Sequence, residues 1–139
     1  MIVSMDLETS GLRYWEKDFK ILSMSLAWRD SNQSIKYAFY SDLSDIKDVL
    51  EQMGQEQCTV VVFNMSFELG CIRSQFPEIP PLNFVCAQRL SQLNGLSPKL
   101  EKKLRKTAFS LENSAVRILQ AEPWKQQFKN NVRDITGRP

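Results

Sequence analysis

Residues 58–63, Cys-Thr-Val-Val-Val-Phe, form a short apolar run with no polar alternation, bounded by polar residues on both sides. A β-branched run of this kind suits a strand buried on both faces of a sheet, and such strands pair in parallel behind a crossover connection. The chain supplies that connection directly upstream. From Asp42 to Gly54 the apolar residues Leu43, Ile46, Val49, Leu50 and Met53 fall at helical spacing, and Gly54 suits a helix stop. Earlier still, Ile-Val-Ser-Met-Asp-Leu at 2–7 starts an extended run that Gly11 ends. Residues 20–28 alternate Ile21, Ser23, Ser25, Ala27 against Leu22, Met24, Leu26, Trp28, and 34–40 follow a turn at Asp30-Ser31-Asn32. The prediction is an α/β fold: a mixed sheet of three antiparallel strands, a crossover helix and a parallel strand, flanked by helices. Beyond Ser66, the residues Phe67, Leu69, Ile72 and Phe76 suit a helix ended by Pro77, and further helices are predicted over 86–95, 99–106, 110–120 and 124–133.

Composition narrows the chemistry. At 139 residues, one compact domain spanning 1–139 is expected, and 42% hydrophobic with 24% charged residues excludes a disordered or fibrous chain. The complete absence of histidine removes imidazole acid–base catalysis, Ser-His and Cys-His nucleophiles and imidazole metal sites at once. Cys58, Cys71 and Cys86 are odd in number and never spaced as CxxC, so neither a disulfide framework nor a thiolate zinc site is expected. No apolar run approaches the roughly 20 residues that span a bilayer, and a soluble, cytoplasmic protein without membrane contact is expected. Charge is uneven: up to Leu96 there are 8 basic against 12 acidic residues, net −4, and from Ser97 onward 10 against 4, net +6. An acidic half followed by a basic half suits a cation site beside an anion-binding face, although Lys102, Lys103, Arg105 and Lys106 equally suit a solvated helix face.

The acids cluster where a site could form. Asp6 and Glu8, at the end of the first strand, point the same way about 7 Å apart at roughly 3.3 Å per residue, and a hard divalent cation relieves the repulsion of such a pair. Glu68 follows the buried strand at the start of the next helix, and it joins the pair if the first and fourth strands are neighbours. Each acid also has a plainer reading. Acidic strand ends are commonly just solvated, and a glutamate in a first helical turn favours the helix dipole.

Asp6-Leu7-Glu8-Thr9-Ser10-Gly11-Leu12 and Asn64-Met65-Ser66-Phe67-Glu68, in that order and spacing, resemble the first two motifs of the DEDD superfamily of 3′ to 5′ exonucleases. In that family, which includes polymerase proofreading domains and ribonuclease D, D-x-E-T-x-G-L ends the first strand and N-x-x-[FY]-D starts the helix after the fourth. The specific match covers about half the chain. Phe109-Ser110-Leu111-Glu112 is similar to a further segment of the ribonuclease D and polymerase I-like members. The resemblance implies a ribonuclease H-like fold and two bound ions, Mg²⁺ or Mn²⁺. By the same resemblance Asp6 serves both ions, Glu8 the ion holding the attacking water, and Glu68 the other. Thr9 and Leu12 would touch the terminal nucleotide, and Asn64 and Phe67 would help position the strand. The implied reaction is hydrolysis of the terminal phosphodiester of a single strand, DNA favoured over RNA, releasing nucleoside monophosphates.

Two departures stand beside the match. Glu68 replaces the usual Asp, one methylene longer. The family's third motif, Y-x-x-x-D or H-x-x-x-D, cannot occur after Glu68, because there is no histidine and the tyrosines are Tyr14, Tyr37 and Tyr40. Asn130-Asn131-Val132-Arg133-Asp134 is the nearest stand-in, with Asp134 as the fourth acid, although Gly137 and Pro139 follow almost at once. The expectation is therefore a domain incomplete at its C-terminal end: a fragment, a split enzyme completed by another chain, or a degenerate member that binds nucleic acid or a polymerase without cutting. Trp28, Phe39 and Phe63 are expected in the core, with Cys71 and Cys86 as small buried residues. Trp124, near Lys125, Lys129 and Arg133, suits either packing or base stacking.

Overall fold

The computed structural model describes residues 1–93 together with Leu111 and Gln120. The chain divides into two compact units, Met1–Ala87 and Gln88–Pro139. The first unit contains strands β1 (Ile2–Thr9), β2 (Ile21–Arg29) and β3 (Ile35–Tyr40), helix α1 (Leu43–Gln55), strand β4 (Thr59–Val62), helix α2 (Met65–Gln75) and strand β5 (Asn83–Cys86). Helix α3 (Ala87–Leu93) follows. Its strands form one sheet in the order β3-β2-β1-β4-β5. β1 is antiparallel to β2 and parallel to β4, β2 is antiparallel to β3, and β4 is parallel to β5. Three antiparallel strands, a crossover and parallel strands flanked by helices make this an α/β, ribonuclease H-like fold.

Alternation builds the core. Along β1, Val3, Met5 and Leu7 are buried while Ile2, Ser4, Asp6 and Glu8 are exposed. The buried side meets Met24 and Leu26 of β2, Val60 and Val62 of β4, and Ile46, Leu50 and Met53 of α1 in one hydrophobic cluster. Each aliphatic side chain taken fully out of water contributes about 1.5–3 kcal/mol, so this face of the sheet carries most of the fold's stabilisation.

Strand β2 departs from strict alternation for a local reason. Glu8 pairs with Ser23 but Thr9 pairs with Ile21, so Leu22 is an extra residue bulged out of β2. The bulge inverts the facing of the strand start: Ile21 joins Met24 and Leu26 in the core, and Leu22 is left exposed.

Helix α1 begins at a strong cap. The Asp42 carboxylate accepts hydrogen bonds from the Ser44 N–H (2.8 Å), the Asp45 N–H (3.4 Å) and the Ser44 hydroxyl (2.9 Å). The helix runs to Gln55, and Gln57, with φ 53°, takes the left-handed turn expected beyond a helix end.

The structure corrects several expectations about single residues and elements. Phe39 is 65% exposed rather than core, because β3 is an edge strand and Phe39, opposite Ser25, lies with Ile35 and Tyr37 on the side away from the cluster. Phe63 lies one residue past β4, and Trp28 is only half-buried. Residues 83–86 form a fifth strand, so the helix expected from 86 begins at Ala87. Cys71 is fully buried, whereas Cys86 is half-buried. The helices predicted over 99–106, 110–120 and 124–133, and Trp124 and Asp134, lie outside the described residues.

Candidate functional site

The carboxyl ends of β1 and β4 lie side by side at the place where β1 has an antiparallel neighbour on one side and a parallel one on the other. In open α/β sheets, that is where ligands bind. β1 pairs with β4 only through Ile2, Val3 and Ser4, so Asp6 and Glu8 extend beyond the paired stretch. β4 ends at Val62 and the chain turns into α2, with Asn64 as its N-cap residue. Cys86 Sγ donates to the Phe63 carbonyl (3.4 Å), tying this turn to β5.

Glu68 is carried inward by the first turn of α2. It is only 5% exposed, and its Oε2 has no hydrogen-bond partner. Burial pushes its pKa up, and the nearby negative charge of Asp6 pushes it further in the same direction. Asp6 is also held above the ordinary carboxylate range, by partial burial of its carboxyl that outweighs the bond from the Leu7 N–H. The charge of Asp6, at the end of β1, is thus felt at Glu68 in the first turn of α2. Cys71, one turn further along α2, has its thiol pushed up to about 11 by burial and by Glu68, so it stays protonated at neutral pH and is no thiolate nucleophile.

The remaining motif residues differ in their surroundings. Glu8 is exposed on the same strand face as Asp6, and among the described residues no three His, Cys, Asp or Glu side chains group closely enough to cage a metal. Thr9 donates its hydroxyl to the Gly11 carbonyl (2.7 Å), and Ser10 pairs with Lys20 through main chain and side chain, which shapes the loop after β1. Leu12 is 79% exposed. The Asn64 side chain makes no cap hydrogen bond, so its amide is not spent on the helix. Phe67 packs edge-on against Tyr14, with ring centroids 6.4 Å apart, and against the core.

The donor set suits a hard divalent cation. Two carboxylates are close enough to repel, and one has a buried oxygen with no partner. Mg²⁺ in particular is usually held by one or two carboxylates plus water or substrate oxygens rather than by an all-protein cage. The motifs leave Tyr14 and Trp15 unremarked. An adjacent aromatic pair in the loop after β1 is the signal that marks them.

No family model matches the chain, and no curated protein matches it. Solved structures do. NrnC of Brucella melitensis with bound Mg²⁺ superposes with a TM-score of 0.62 at 14% identity, over 87% of this chain and 54% of that one. A structure described as the "apo form of the nuclease" superposes at 0.61 with 11% identity, over 91% and 56%. At these identities the likeness is one of fold, and the chain spans about half the length of the structures it resembles.

Proposed function

We propose that this chain is a divalent-metal-dependent 3′ to 5′ exonuclease domain of the DEDD type, acting on the 3′ end of a single strand, DNA in preference to RNA. The observation that carries the reading is the coupling of Asp6 with the buried, unpartnered carboxylate of Glu68 at the switch point of the sheet. The likeness in fold to nucleases, one of them with bound Mg²⁺, supports it. Asp6 and Glu68 would hold the cation, and Glu8, on the same face of β1, would serve a second Mg²⁺ or Mn²⁺. Bound there, such ions supply charge neutralisation at a phosphoryl oxygen and a more acidic water.

The chain's own groups then position the strand. Exposed Leu12 offers an apolar surface for the terminal nucleoside. The uncommitted Asn64 amide can donate to the strand, and Phe67, braced by Tyr14, holds the turn that presents Glu68. Catalysis of this type rests mainly on positioning and electrostatic stabilisation, so small displacements of these groups would be costly. Asp134 would be the fourth acid, or a completing chain or polymerase partner would supply it.

The test is digestion of a 5′-labelled single strand with Mg²⁺ or Mn²⁺ beside Asp6→Ala. A ladder of 3′-shortened products, reduced at least about 100-fold in the variant, is expected. If carefully purified wild-type protein produces no ladder, the claim that this chain cuts unaided fails. The alternative, a domain that binds nucleic acid or a polymerase without cleavage, then takes its place. The lack of a third clustered acid among the described residues is what favours that alternative.

A further inference from the structure

On the outer side of α2 lies a cleft of about 490 Å³ lined by Tyr14, Trp15, Ser66, Gly70, Arg73 and Ser74. Its construction is specific. The Tyr14 ring lies against Gly70 so closely that a Cβ there would meet ring carbons at 2.5–2.7 Å, so only glycine admits the ring without displacing it. Ser74 Oγ donates to the Tyr14 carbonyl (2.5 Å), and Gln75 Nε2 donates to the Phe19 carbonyl (3.0 Å), which fastens the loop after β1 to the helix. Trp15 stands edge-on to Tyr14, with centroids 5.1 Å apart and planes at 85°, yet is 68% exposed. A large indole is thus propped on a second aromatic ring and offered to solvent. Beside it, the exposed Arg73 has no carboxylate or hydrogen-bond partner for its guanidinium among the described residues.

We propose that this cleft is a base-binding subsite for single-stranded nucleic acid, in which a nucleobase stacks on Trp15 and Arg73 pairs with an adjacent backbone phosphate. Exposed aromatic faces and unpaired cations are the two elements from which sequence-tolerant single-strand sites are built. Ser66, Gly70 and Ser74 share one stripe of α2, and Glu68 lies roughly 200° round the helix from Ser66 at 3.6 residues per turn. The subsite therefore takes a base further along the strand, not the nucleotide being cleaved. The inference rests on reading the chain as one that acts on nucleic acid, but it does not require cutting.

The test measures binding of a labelled oligothymidylate about ten nucleotides long by fluorescence anisotropy in EDTA, over a salt series. The proteins are wild type, Trp15→Ala, Trp15→Phe and Arg73→Ala, each checked for an unchanged melting curve. Trp15→Ala is expected to weaken binding roughly tenfold to a hundredfold, with Trp15→Phe recovering most of the loss. Arg73→Ala is expected to flatten the log–log salt dependence by about 0.7. A folded Trp15→Ala that binds like wild type overturns the subsite, and the nuclease reading then stands or falls separately on the Asp6→Ala ladder. Trp15-dependent binding without cleavage supports the subsite and sinks the cutting claim. A wild type that binds no oligonucleotide in EDTA also overturns the subsite, and the nuclease reading is again decided by the ladder in Mg²⁺.

Discussion

Glu68 holds a carboxylate oxygen out of water with nothing to bond to, close to a second acid on β1. Left so, the arrangement costs the fold free energy, because a buried unsatisfied polar group costs roughly 1–3 kcal/mol and a charged one more. Removing the charge should therefore stabilise the metal-free protein. Glu68→Gln is expected to raise the melting temperature in EDTA by a few degrees, and to lack the additional rise expected for wild type in Mg²⁺. Calorimetry with and without Mg²⁺ reads both effects, and an unchanged or lower melting temperature in EDTA would show that the pair is already relieved within the fold. Glu68 is marked out as a candidate in the sequence by its place after the buried strand and by the resemblance of Asn64-Met65-Ser66-Phe67-Glu68 to a known motif. Its burial is not, because that depends on how α2 is rolled against the sheet, and the mixed apolar pattern of the helix leaves the roll open. Phe39 shows the same limit from the other side: its alternation is plain in the sequence, but which face of an edge strand is covered depends on neighbours far along the chain.

Among elements, α1 shows how much of its stability is set at its first turn. Hydrogen bonds from the Ser44 hydroxyl, the Ser44 N–H and the Asp45 N–H hold the Asp42 carboxyl below its ordinary value of 3.8. A group whose native pKa is depressed contributes stability that is fully present above its unfolded pKa and is lost as pH falls through the native one. The cap's contribution should thus be intact at neutral pH and disappear below about pH 3.8. Asp42→Ala is expected to lower the melting temperature by a few degrees at pH 7 and by almost nothing near pH 2, which circular dichroism melts across that range would show. Helix α1 is readable in advance from its apolar spacing, although it runs to Gln55, one residue past the Gly54 at which the sequence suggested a stop. β5 is not: Asn83-Phe84-Val85-Cys86 is four residues long, follows a proline-rich stretch, and becomes a strand only by lying beside β4. The Leu22 bulge is equally hidden, since it is a property of the β1–β2 pairing and not of either strand alone.

At the scale of the whole molecule, the sheet joins two kinds of contact. β1, β2 and β3 meet through short connections, whereas β1 reaches β4 only by closing more than fifty residues of chain, Val3 against Val60. Loop closure of that length is entropically dearer, and non-local pairing is generally the slower event in folding. Val60 is fully buried at that seam, so Val60→Ala should cost about 2 kcal/mol or more. Stopped-flow measurements should find most of that loss in faster unfolding, with little change in the folding rate; a matching fall in the folding rate would place the seam early instead. The two acids sit on opposite sides of it, Asp6 on β1 and Glu68 beyond β4. A newly made chain in which that seam closes late would hold its two acids apart throughout its hairpin stage.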